Sequence, residues 1–213
     1  MRSTTKRHPA HIRVSMGADA DGRLTAIDFH GDFDTGAYAS WGPTVANRVP
    51  VHASGPYVVP AVRATTRALY TNGPIGGAFR GFGVPQAAIA QEAVLDDLAE
   101  TLGIDRLEIR RRNALRAGST TATGQVLTAS AGLGACLDAL EPAWMDALAD
   151  AAAANDAVTT PASAGSPIRR GVGIGAMWYG IGNTSLSNPS TVRIGLRRDG
   201  TYVLFSGAQD IGQ

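Results

Sequence analysis

Gly77-Ala78-Phe79-Arg80-Gly81-Phe82-Gly83-Val84-Pro85-Gln86 is the stretch around which this chain is organised. Before it, residues 61–70 are rich in Val, Thr and Tyr and predict a strand. After it, Ala90, Val94, Leu98 and Leu102 fall four apart, with Ile89, Leu95 and Ala99 beside them, and predict an amphipathic helix over 86–102. Pro85 suits that helix's first turn, where its missing N–H is not needed, and Gly103 is the expected C-terminal glycine. The quoted stretch is therefore a loop that turns a strand into a helix. Gly76, Gly77 and Gly81 lack a Cβ, so the backbone there can approach a ligand and present its N–H groups. Arg80, between two aromatic residues, offers a bidentate clamp for phosphate or carboxylate, or a stacking plane. Phe82 offers a flat apolar face, and the helix N-terminus beside the loop favours an anion. A plainer reading stands beside this one: Phe79 and Phe82 fill the core and Arg80 is an ordinary surface residue.

Working outward, residues 11–15 and 23–33 alternate apolar and polar positions around the turn Asp19-Ala20-Asp21-Gly22, and predict a β-hairpin. Asp105 with Glu108 makes a capping-box-like start to a short helix over 106–115. Residues 116–132 read as a surface loop, 143–155 as a helix and 157–169 as a flexible linker. Strands return at 172–179, 191–197 and 201–205, the last two joined by a turn at Arg198-Asp199-Gly200. The fold class is α+β, mixed β-sheets with packed helices. Its predicted division is a first region over 1–156, the linker, and a second region beginning at 170 and running to 213. A strand followed directly by a glycine-containing loop lacks a neighbour, so the chain reads as an internal part of a longer polypeptide.

Composition narrows the function classes. The 213 residues are 44% hydrophobic and 17% charged, ordinary for a globular chain. A net charge of +1 supplies no electrostatic attraction to nucleic acid or anionic membrane. The single cysteine, Cys136, excludes an internal disulfide and any multi-cysteine metal site, which suits a cytoplasmic protein. No apolar run approaches the roughly 20 residues needed to span a bilayer. Arg110-Arg111-Arg112, the one tight basic run, is expected on a solvated helix face.

The run Ala78 to Gln86 resembles the signature loop of the large, molybdopterin-binding subunits of xanthine dehydrogenases and aldehyde oxidases. The likeness continues through Glu92, Leu98-Ala99, Leu102-Gly103 and Glu108 to Leu115, and back to Gly55-Pro56-Tyr57, Pro60 and Thr71-Asn72. Ser206 to Gln213 is similar to a second cofactor-contacting loop of that family. The resemblance implies the molybdenum cofactor, molybdopterin, with its cytosine dinucleotide form among the variants. The metal would be held by the pterin dithiolene and by no protein side chain. It implies cofactor contacts by Ala78, Phe79, Arg80, Gly81, Ile211, Gly212 and Gln213, with Phe82 stacked on an aromatic substrate. It implies hydroxylation with water as the oxygen source, and electrons leaving through Fe–S clusters and FAD on partner subunits or domains. The general-base glutamate is expected beyond Gln213, so this chain alone is expected to be inactive and to need the remainder of its subunit. Glu92, Glu100, Glu108 and Glu141, on predicted helices, are expected to be solvated.

Two further positions follow from the resemblance. Arg48, in Ala46-Asn47-Arg48-Val49-Pro50, stands where an arginine orients a purine in xanthine-oxidising relatives; the plainer alternative is a surface-loop arginine. Asn183 stands where the family brings a second aromatic residue to the substrate, a departure that favours a substrate accepting an amide hydrogen bond. Trp178 and Tyr179 suit a core position as well as a substrate-facing one, His8, His11, His30 and His52 read as structural, and Asp32 and Asp34 as turn-stabilising. The expected substrate is an N-heteroaromatic ring, purine- or nicotinate-like, or an aldehyde. The rivals are a catalytically inactive assembly module and an unrelated phosphate-binding domain.

Overall fold

The computed structural model describes residues 4–158, 168–180 and 189–208. Strand β1 (Ala10–Ala18) pairs antiparallel with β2 (Leu24–Gly36), and β2 pairs parallel with β3 (Ala61–Tyr70), giving the order β1-β2-β3. Parallel neighbours need a crossover, and it is made by helix α1 (Gly42–His52). Period-two alternation sends Ile12, Val14, Ile27, Phe29, Phe33, Ala64 and Ala68 to one face. Phe29 and Phe33 are fully buried there, under Ala46 and Val49 of α1, Ala53 just after it and Ala87 of α2 (Val84–Leu102). The other face is polar. Its cross-strand pairs Arg63–Asp28 and Arg67–Asp32 are solvent-facing, and Arg63 holds the Asp28 carboxyl down at about 2.

Helix α1 was not foreseen, and Arg48 therefore lies on a helix and is buried rather than in a surface loop. Pro50 hides the pattern, because a proline inside a helix leaves the carbonyl four residues earlier without its donor. That carbonyl is Ala46 O, and the Thr66 hydroxyl on β3 donates to it at 2.8 Å.

Helix α2 runs as expected, but its buried stripe is Ala87, Gln91, Leu95 and Ala99, one step round from the predicted one, and Ile89 is exposed. Asp105 caps α3 (Arg106–Asn113) by accepting from the N–H groups of Leu107 and Glu108, and its other oxygen accepts from Trp144 Nε1 at 3.0 Å. Helix α4 (Leu133–Val158) begins ten residues before the predicted start, with Pro142 inside it. Its Leu137 and Trp144 pack on Leu107.

The basic run is corrected in part. Arg110 is fully buried, paired with Glu92 and Asp96 on α2, while Arg111 meets Glu108, Asp138 and Glu141 and Arg112 meets Glu108. Residues 172–179 form no ladder. They run as a strap whose even positions turn inward: Val172 and Ile174 against the Leu107 cluster, Ala176 against the Leu95 cluster. Strands β4 (Arg193–Leu196) and β5 (Tyr202–Phe205) pair antiparallel as expected. No helix among the described residues is long and apolar enough to cross a membrane.

Candidate functional site

The loop before α2 takes its shape from three consecutive residues with positive φ: Gly81 at 86°, Phe82 at 47° and Gly83 at 95°. A left-handed phenylalanine is strained, and it persists here because hydrogen bonds over-determine the turn. Phe82 N–H donates to Phe79 O at 2.8 Å, and Val84 N–H to Gly81 O at 2.9 Å. Gly83 must be glycine for a second reason: a Cβ there would lie 2.9 Å from Val45 O, so the loop is pressed onto α1. The turn leaves Ala78, Phe79 and Arg80 exposed and Phe82 half-buried. Phe79, 49% exposed, is not a core residue. Phe82 meets Trp41 edge-on at 5.8 Å.

The N-terminal segment straps this turn in place. Lys6 N–H donates to Ile75 O, and Gly77 N–H donates to Lys6 O. Arg7 lies with its guanidinium 4.7 Å from the Phe79 ring centroid, donates through Nη2 to Arg80 O at 2.6 Å, and reaches Gln86 Oε1 at 3.4 Å. With its backbone so held, the Arg80 guanidinium is exposed at the N-terminal end of α2, with no acceptor among the described residues. An arginine and a helix N-terminus side by side suit an anionic or strongly polar ligand group. Arg7 was missed in the sequence because its partners lie more than 70 residues away and no local pattern announces them.

Helix α1 links this loop to the other candidate positions. Arg48 is 8% exposed, donates through Nη2 to Gly180 O at 3.1 Å, and stacks 4.8 Å from the Tyr179 ring centroid. His52, one turn on, is buried; its Nδ1 lies 3.0 Å from Arg48 O, and Gly180 N–H donates to its Nε2 at 3.4 Å. Those contacts fit the neutral ring with its proton on Nδ1, and burial pushes the His52 pKa down. Trp178 and Tyr179 pack on the same imidazole, at 4.8 and 5.9 Å between centroids. Asn183, Ile211, Gly212 and Gln213 lie outside the described residues.

Glu92 is not solvated. It accepts from Tyr57 Oη at 2.6 Å, from Arg110 Nε at 2.9 Å and from Ala176 N–H at 3.0 Å, and burial beside it drives the Tyr57 phenol pKa far up. It is a structural hub. Asp34 does stabilise a turn, accepting from Gly36 N–H and the Thr71 hydroxyl, whereas Asp32 pairs with Arg67 instead. Hollows of about 490 and 530 Å³ lie on the sheet, lined by residues of β1, β2 and β3 and by none of the loop residues. Among the described residues no group of three or more His, Cys, Asp or Glu is arranged to hold a metal.

Residues 1–114 match the model of the molybdopterin cofactor-binding domain. The chain belongs to that family. It is similar to the nicotinate dehydrogenase large molybdopterin subunit of Eubacterium barkeri, 52% identical over 130 residues, covering 61% of this chain and 31% of the relative. The aldehyde oxidoreductase of Megalodesulfovibrio gigas is 35% identical over 212 residues, covering 99% of this chain and 22% of that protein. The structure superposes on the aldehyde oxidoreductase of Desulfovibrio desulfuricans with a TM-score of 0.83 at 29% identity, over 95% of this chain and 21% of that one. The chain thus spans between a fifth and a third of these relatives. The expected α+β fold of molybdenum-hydroxylase cofactor-binding domains is what the superposition shows. The family is that of molybdopterin oxidoreductases.

Proposed function

We propose that this chain supplies part of the catalytic subunit of a molybdenum hydroxylase that oxidises an N-heteroaromatic compound, purine- or nicotinate-like, or an aldehyde. The observation that carries this reading is the exposed Ala78-Phe79-Arg80 turn at the N-terminus of α2, inside the stretch that matches the molybdopterin cofactor-binding domain. When bound, molybdopterin supplies the oxidative chemistry, with oxygen derived from water and electrons passed to Fe–S and FAD groups on partner subunits or domains. The cytosine dinucleotide form is part of the proposal. So are the division into a first region (1–156), a linker (157–169) and a second region (170–213), a cytoplasmic location, and inactivity of this chain without the rest of its subunit.

The chain's own residues have distinct work. Ala78, Phe79 and Gly81 form a shelf of backbone against the cofactor, and Arg80 directs its charge to a polar group of it. Ile211, Gly212 and Gln213 complete the cofactor contacts from the second loop. Phe82, held edge-on by Trp41, turns its ring to a planar substrate. Arg48 and Asn183 orient the polar edge of that substrate. The nicotinate dehydrogenase likeness at 52% identity supports a ring carrying a nitrogen and an acceptor group over a simple aldehyde.

The test is elemental analysis of the enzyme containing this chain, with and without Arg80→Ala. Molybdenum in the parent and its loss with the substitution are expected. A parent without molybdenum, or one indifferent to the substitution, overturns the reading.

A further inference from the structure

Helix α1 opens in a way its own sequence does not favour. Trp41 stands at the N-cap position, where a Ser, Thr, Asn or Asp side chain would accept from a free N–H, and the indole makes no such bond. Ser40 before it has a left-handed backbone, φ 42°. Gly42 after it is wedged on β2, where a Cβ would run into the Thr35 side chain. The cap position is thus given to a large ring, and strained or crowded backbone on both sides fixes where that ring points.

The ring that Trp41 meets is Phe82, itself left-handed at φ 47°. The two centroids are 5.8 Å apart and the planes are inclined at 68°. A short path sets this geometry. Val45 N–H donates to Trp41 O at 2.8 Å, and Val45 O lies 2.9 Å from where a Cβ on Gly83, the residue after Phe82, would stand. Yet this is not a core contact: Trp41 is 53% exposed and Phe82 half-buried. An uncapped helix start and two of the three left-handed non-glycines among the described residues meet at one ring pair open to solvent. Such departures from local preference gather where a site, and not the fold, requires them.

We infer that Trp41 is a substrate-contacting, specificity-determining residue, its indole and the Phe82 ring forming an open corner that takes one planar ring of an N-heteroaromatic substrate. The inference deepens the proposed function and rests on it, since there Phe82 faces the substrate. Two planes inclined at 68° suit a flat ligand whose face lies on one ring while its edge meets the other, the two arrangements that aromatic rings prefer. An aliphatic aldehyde has no such face or edge, so the corner selects for aromatic substrates.

The experiment uses the holoenzyme containing this chain, as wild type and with Trp41→Ser or Trp41→Phe. Serine removes the ring but can cap α1, which separates a role in binding from a role in folding. In the wild type, hydroxyl-radical labelling of Trp41, read by peptide mass spectrometry, is expected to fall severalfold when nicotinate or hypoxanthine is added. Trp41→Ser should raise KM for the protecting ring about tenfold. Its kcat and molybdenum content should hold, and its thermal midpoint should stay or rise. Trp41→Phe should recover most of the KM. The inference is overturned if Trp41 is unlabelled in the free enzyme, if neither ring protects it, or if KM does not move. A raised KM accompanied by a lowered midpoint, and not recovered by phenylalanine, marks a structural role and overturns it too. Should Trp41→Ser fail to fold, the wild-type labelling decides alone. A wild-type enzyme without molybdenum overturns the proposed function and this inference with it, an outcome read from elemental analysis and separate from the labelling.

Discussion

Arg110 on α3 and Glu92 on α2 form a buried ion pair, the guanidinium fully shielded from solvent and its Nη2 2.8 Å from the Glu92 carboxylate. The pair ties α2 to α3, and through the other Glu92 contacts it ties both to Tyr57 and to the strap at Ala176. Removing one partner leaves the other charge buried and alone. Arg110→Met is therefore expected to cost about 3–5 kcal/mol, read from denaturant unfolding. A cost under about 1 kcal/mol would show that water reaches the pair and screens it.

Two glycines with positive φ, one at each end of α2, give different steric predictions. Gly83 has φ 95° and faces Val45 O at 2.9 Å, whereas Gly103 has φ 65° and nothing within 4 Å. Gly103→Ala carries the left-handed penalty alone, about 1–2 kcal/mol. Gly83→Ala adds a clash with backbone that cannot rotate away and is expected to exceed it by at least about 1 kcal/mol. Thermal unfolding of the two variants decides the order.

Asp105 does two jobs with two oxygens, capping α3 with one and accepting from Trp144 with the other. Asp105→Ala removes the cap, at about 1 kcal/mol, and strands a buried indole N–H, at about 1–3 kcal/mol. Trp144→Phe in the same background should then recover the second part, a non-additivity that a double-mutant cycle measures.

Stability should fall as pH drops below neutrality because of His8 and His52. Burial lowers both pKa values from 6.5, so the unfolded chain takes up protons first as pH falls through 6.5, and each unmatched proton destabilises the fold. The loss begins near the unfolded value of 6.5 and levels off below the folded values. Its slope is at most about 1.4 kcal/mol per pH unit for each histidine. His52→Gln is expected to reduce the loss as pH falls below 6.5, leaving the part due to His8; an unchanged pH dependence would place the uptake elsewhere.

Arg7 is expected to matter to cofactor retention because it holds Arg80 O and covers Phe79. Arg7→Met should lower the molybdenum that survives gel filtration severalfold, with about 1 kcal/mol or less of global stability lost. Arg7→Lys should not restore it, since an ammonium lacks the planar fork that meets two acceptors and a ring at once.

The sequence by itself determined the elements whose instructions are local. Residues 61–70, rich in Val, Thr and Tyr, became β3; Pro85 and Gly103 bracket α2; Asp105 caps α3; and the glycine-rich loop became a turn that exposes Ala78, Phe79 and Arg80. It also carried enough of the family's pattern to imply the cofactor. Only the tertiary structure decided what depends on a distant partner. Pro50 reads as a helix breaker until Thr66, on another strand, supplies the donor for Ala46 O. Arg110 and Glu92 read as solvated charges until α2 and α3 pack and exclude water, after which the pair outweighs what either would gain alone in solvent. The alternating residues of 172–180 have a strand's period but no strand beside them among the described residues, and their N–H groups at 176 and 180 go to the side chains of Glu92 and His52. Charge and periodicity are properties of a residue and its neighbours in sequence; burial and pairing belong to the contact, and the contacts that hold the loop and the strap join residues 73 to 132 positions apart.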